Sequence, residues 1–284
     1  FIKFTVPNRP TDAAADFYAT LMHVPQDRTV MIQSDWTNSS RGESGGSFEA
    51  LVRILMRRGL KFALYSADPQ SPQVARDVIT RINDERIKEG KEPYRSWNDY
   101  LVLGYMPAVD VVNKAMATNL RKAFSDRQAT SPGVGQRNVF ESPVLNKVQK
   151  FNDLGLFVVV TASNTSITAI ERLSGQKTPM MLMVTGVMGP EHVPYYASGQ
   201  VKGLVVGLKG VYDMETMMQN GINFPDAASA KVRIPRYDTV PGFPGETNFG
   251  KGNAYYPTLH VALTLLILAV VIGNVGMFLS RRQR

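Results

Sequence analysis

Two short stretches carry the residue types that bind or react. The first is Asp35-Trp36-Thr37-Asn38-Ser39-Ser40-Arg41-Gly42-Glu43-Ser44-Gly45-Gly46, and the second is Thr161-Ala162-Ser163-Asn164-Thr165. Each follows a β-branched or apolar run and opens a helical pattern. Each therefore sets hydroxyls, amides and glycine at a helix N-terminus, where unpaired N–H groups attract negative charge. The chemistry this suggests is binding of a small anion, a phosphate or a carboxylate, by Asp35, Ser44, Gly45, Gly46, Thr161, Ser163, Asn164 and Thr165. The same small polar residues are also what helix caps and tight strand-to-helix turns require.

Gly42-Glu43-Ser44-Gly45-Gly46 fits G-x-S-x-G, the nucleophile elbow of hydrolases, and makes Ser44 a candidate for catalysis. An elbow needs the strand to run straight into its first glycine, whereas Asp35 to Arg41 intervene here. A triad would also need His. Of the three in the chain, His192 in Gly189-Pro190-Glu191-His192 is the one at a predicted helix start, with Asp68 or Asp110 as the acid. Other chemistries find less support. The first strand-to-helix loop lacks G-x-G-x-x-G, so no dinucleotide cofactor is expected. Gly245 to Gly252 places Lys251 before glycine, with no strand ahead of it, and reads as loop rather than P-loop. The chain has no cysteine, which removes disulfides, thiolate catalysis and Cys-ligated metals. Metal-ligand spacing of His with Asp or Glu is also missing, so no metal is expected.

These loops need elements to hold them. Buried-strand runs occur at Arg28 to Ser34, Leu60 to Ser66, Asp99 to Met106, Leu156 to Thr161, Met180 to Thr185 and Val201 to Gly207. Helical patterns alternate with them. Ser47 caps a helix whose apolar face is Phe48, Leu51, Val52, Leu55 and Met56, ended by Gly59. Further helices are read at Val74 to Ile82, Val109 to Phe124, Val144 to Asn152, Ile167 to Leu173, Pro190 to Ser198 and Val211 to Met218. Ser125 to Glu141 reads as a mobile polar connection between halves. Leu156-Phe157-Val158-Val159-Val160-Thr161 does not alternate, so that strand is buried on both faces. The expected fold is α/β: a doubly wound, mostly parallel six-stranded sheet over residues 28–220, after an N-terminal segment over 1–27 whose upstream piece is missing. In such a sheet ligands bind where the strand order reverses, which here would bring the first and fourth strand loops together.

From Leu259 to Leu279 the chain contains no Asp, Glu, Lys or Arg. A helix of roughly 20 such residues reaches about 30 Å, the thickness of a bilayer core. A transmembrane helix is therefore placed at 258–280, with Tyr255 and Tyr256 at the interface and a basic tail at 281–284. The basic tail favours a cytoplasmic C-terminus and a soluble domain outside the cytoplasm, in a bacterial inner membrane. Between domain and span, residues 221–257 carry Pro225, Pro235, Pro241, Pro244 and Pro257 with Gly242, Gly245, Gly250 and Gly252, and read as an extended strap. The net charge of +8 has no Lys/Arg stripe with interleaved aromatics, which argues against nucleic acid. Attraction to anionic headgroups accounts for it more simply.

The Gly-rich loop before Ser47, Ala67-Asp68-Pro69 with Val74-Ala75-Arg76-Asp77-Val78, and the C-terminal span together resemble an uncharacterised family of bacterial membrane-anchored Rossmann-like α/β domain proteins. The resemblance covers Arg28 to Met218 plus the anchor and implies the architecture. It transfers no catalytic residue. The expected function is a non-enzymatic, membrane-anchored structural or accessory subunit, homo-oligomeric or packed on other subunits of a membrane complex. The alternative is a small-anion-binding or hydrolytic domain using the first and fourth strand loops.

Overall fold

In a computed structural model, residues 9–222 and 240–282 are described. Six parallel strands form one sheet: β1 (Val30–Asp35), β2 (Phe62–Ser66), β3 (Tyr100–Tyr105), β6 (Leu156–Thr161), β7 (Met180–Val184) and β8 (Gly203–Val206). Their order is β3-β2-β1-β6-β7-β8, so the sheet winds outward in both directions from β1 and β6. Those two strands pair in register from Val30 opposite Leu156 to Asp35 opposite Thr161. The helices are α1 (Asp12–Met22), α2 (Ser44–Arg57), α3 (Ser71–Lys88), α4 (Val109–Thr118), α5 (Leu120–Ala123), α6 (Thr165–Leu173), α7 (Gly189–Ala197), α8 (Gly207–Asn220) and α9 (Lys251–Arg282). The α/β class and the parallel sheet stand as expected.

Successive strand side chains point to opposite faces, and here both faces are covered. Ile32, Leu64, Val158, Val160 and Met183 pack beneath α1, α2, α3 and α8. Met31, Ala63, Tyr65, Val159 and Leu182 pack beneath α4, α5 and α6. This two-sided burial is why the strands read as unbroken apolar runs.

Four expectations are corrected. Residues 1–27 are not a segment apart, as far as they are described: α1 lies against β8, where Gly203 faces the Phe17 backbone so closely that a Cβ would come within 2.5 Å of it. The polar connection contains a hairpin, β4 (Gln128–Ser131) with β5 (Gly135–Asn138), turning through Gly133 at φ 75°. Its residues have no apolar alternation to betray it. Val144 to Asn152 is not a helix but a series of turns ending in a short 3-10 turn at Phe151–Asp153. Side chains from elsewhere take its carbonyls: Thr29 donates to Val144, and Arg121 to Asn146 and Val148, while Lys61 donates to the preceding Pro143.

The fourth correction concerns the strap. Its first half, with Pro225 and Pro235, lies outside the described residues, as does the end of the basic tail. The rest is pinned to the domain. Asn248 bonds Gln219 and the Phe243 carbonyl, and Arg57 forms an ion pair with Glu246 at 2.9 Å. The terminal helix then begins at Lys251 rather than 258, continues through Pro257, and is long and apolar enough to cross a bilayer. Glu215 of α8 explains the early start. Its carboxylate accepts the Gly252 and Asn253 N–H groups at 2.8 and 2.7 Å, an N-terminal cap supplied from another helix.

Candidate functional site

The strand order reverses between β1 and β6, and a cleft of about 250 Å³ opens beyond their carboxyl ends. It is lined by Asp35, Trp36, Thr37, Ser39, Ser40, Ala67, Asp68, Ala162, Ser163 and Thr165. The loops after β1 and β6 meet there, as the sequence implies, joined by the loop after β2.

Asp35, 4% exposed, is the last residue of β1 and the knot of the site. Its Oδ1 accepts from the Ala67 N–H at 2.6 Å and the Ser66 hydroxyl at 3.2 Å. Its Oδ2 accepts from Gln33 Nε2 at 2.6 Å and the Thr165 hydroxyl at 2.7 Å. Gln33 is oriented from behind, since Asn113 Nδ2 donates to its Oε1 and the Tyr65 hydroxyl lies 3.1 Å from the same atom. Burial pushes the Asp35 carboxyl above its ordinary range, and the hydrogen bonds from Gln33, Thr165, Ala67 and Ser66 only partly oppose that rise. Opposite it, the Thr161 hydroxyl lies 3.1 Å from that of Ser163 and 3.2 Å from that of Thr165. Thr161 also lies 3.2 Å from the Asp35 carbonyl, so β1 and β6 are stitched together at their ends.

Of the residues singled out in the sequence, Asp35, Thr161, Ser163 and Thr165 come together. Asn164 is exposed and makes no side-chain cap to α6. Ser44, Gly45 and Gly46 form the first turn of α2 and are packed away from the cleft. A Cβ on Gly45 would come within 3.1 Å of the Trp36 ring, and one on Gly46 within 3.1 Å of Val211. The Ser44 hydroxyl is buried with no hydrogen-bond partner. His192 is fully buried elsewhere, its Nε2 2.7 Å from the Ser166 hydroxyl and its Nδ1 2.8 Å from the Met188 carbonyl. Ser44 and His192 thus share no hydrogen bond. The candidate acids are also apart, since Asp68 caps the backbone of Gln70 and Asp110 pairs with Arg172. Ser166 with His192 has the spacing of a nucleophile and its base, but both are sealed from solvent.

Sequence reading overlooked Trp36, Thr37, Ser39 and Ser40 as lining. Asp35, Thr37 and Ser39 at alternate positions were the available signal. The Trp36 indole N–H, in a residue 2% exposed, has no acceptor. Hard cations take oxygen ligands, yet the Asp35 oxygens already accept four hydrogen bonds, about the capacity of a carboxylate. Among the described residues no group of three or more His, Cys, Asp or Glu is placed to hold a metal.

Comparison of the chain with protein-family models, curated proteins and solved structures gives no match.

Proposed function

We propose that this chain is a non-enzymatic, membrane-anchored subunit whose α/β domain packs against further copies of itself or other proteins of a membrane assembly. The observation that carries the reading is the way the apolar helix is mounted. Glu215 caps it, and Gly252 lies so close to α8 that a Cβ would sit 2.6 Å from the Tyr212 nitrogen. A domain that only needs confinement to a membrane can hang from a flexible linker. One mounted on its anchor through buried contacts has a fixed orientation, which packing in an assembly requires. The buried carboxylate supports the same reading, because Asp35 spends all its acceptor capacity on holding β1, the loop after β2 and α6 together. The test is the size of the particle extracted in mild detergent, which should exceed one chain.

A second reading is supported by the cleft itself. Asp35 and Asp68 in its lining make it a poor host for the anion expected from the helix N-termini. The orphaned Trp36 N–H asks for an acceptor, while Asp68 accepts donors, and the hydroxyls of Thr37, Ser39 and Ser163 both donate and accept. A small hydroxylated molecule offers both. Thermal shift with sugars and polyols at millimolar concentration, against phosphate and acetate, tests it. Stabilisation by the anions alone would reject this version.

A further inference from the structure

Resting on the reading of α9 as the membrane anchor, the path of that helix fixes which side of the domain meets the bilayer. Helix α8 starts at Gly207, directly after β8, so its N-terminus lies at the carboxyl edge of the sheet. Helix α9 runs back along it toward that end. Gly250 lies by Glu215, Gly252 lies over Val211 and Tyr212, and the Tyr256 ring is 5.1 Å from that of Tyr212. Lys251 Nζ meanwhile donates to the Arg41 carbonyl, in the loop after β1, at 2.8 Å. Pro257 is the last buried residue of α9, His260 is half-buried, and Val261 to Arg281 are all exposed. Protein contact therefore ends where the apolar run begins. No linker separates the carboxyl edge from the span.

Two features of that edge suit a lipid surface. Val187, 91% exposed, tops the turn after β7, and that turn touches Gly207 at the start of α8. A single exposed Val is ordinary, but this one tops a turn packed on the start of α8, the helix against which α9 lies. Arg41 is exposed on the loop held by Lys251, and exposed Arg9 is fixed at the first turn of α8 by its carbonyl bond to Lys209. Their guanidinium groups suit headgroup phosphates.

We infer that the carboxyl edge of the sheet, with Val187, Arg41 and Arg9, lies against the phospholipid headgroups, so that the cleft at Asp35 opens at the membrane surface. The absence of cysteine makes the test clean. Single-cysteine variants Val187→Cys, Ile87→Cys and Leu266→Cys of the full chain carry an environment-sensitive fluorophore in vesicles of phosphatidylcholine and phosphatidylglycerol. Ile87 is a 56%-exposed control near the end of α3, on the opposite edge of the sheet. Nitroxide on the lipid headgroups should quench the label at position 187 several-fold more than that at 87, and nitroxide on the acyl chains should quench that at 266. Quenching at 266 with equal quenching at 187 and 87 overturns the inference and leaves the anchor standing. No acyl-chain quenching at 266 overturns the anchor itself, and the inference with it.

Discussion

At the scale of residues, Asp35 holds the end of the sheet together. Replacing it with Ala would leave Ser66 and Gln33 without their acceptor in a buried place, and the half-buried Ala67 N–H and Thr165 hydroxyl without theirs at the cleft wall. Each stranded buried donor costs about 1–3 kcal/mol, so Asp35→Ala should lower stability by at least about 3 kcal/mol, read from the urea midpoint in detergent. Thr165→Val removes one donor and should cost about 1 kcal/mol. The raised carboxyls set a pH trend. Burial lifts Asp35 and Glu215 above their ordinary range, so the folded chain holds these protons more tightly than the unfolded chain. Their contribution is full below the unfolded carboxylate range, about 4, and is lost as pH rises through the folded values. Glu49 runs the other way. Burial alone would raise it, but hydrogen bonds and charge from Arg81 and Arg53 hold it below the ordinary range, so its contribution is lost in acid. The stability advantage of wild type over Glu215→Gln should shrink between pH 4.5 and 7.5, and an advantage that grows would contradict the assignment. What was legible here follows from strand ends: Asp35 and Thr161 close their strands, Ser163 and Thr165 follow directly in the turn into α6, and all four had to meet at the switch point. Ser44, Gly45 and Gly46 misled because letters in a motif do not say which way a loop turns. Their small size serves the packing of Trp36 and Val211.

At the scale of elements, the strands could be read because both faces of the sheet are buried, leaving apolar runs without alternation. Val144 to Asn152 could not. Its apolar spacing imitates a helix, but distant Thr29 and Arg121 claim its carbonyls. The start of α9 was hidden for a similar reason, since its cap, Glu215, lies on another helix. That mounting can be broken locally. Gly252→Val would drive a Cβ into the Tyr212 backbone, and Glu215→Ala should cost about 1–2 kcal/mol as a lost cap. Both should expose the segment from Phe243 to Tyr256 to limited proteolysis while the sheet still unfolds cooperatively. Unchanged cleavage would mean that α9 is held by something else.

At the scale of the whole molecule, a doubly wound sheet and an apolar helix form one connected body, because the described part of the expected strap folds back onto α2 and α8. The sequence carried both parts but not the mounting, which depends on contacts between residues far apart in the chain. A body fixed this way suits a place in an assembly, and that central claim is tested most directly by the mass of the particle extracted in mild detergent, from light scattering corrected for bound detergent. The expected result is a discrete multiple of the mass of one chain, or a stoichiometric complex with other subunits. A single chain at every concentration, with no co-extracted partner, would contradict it.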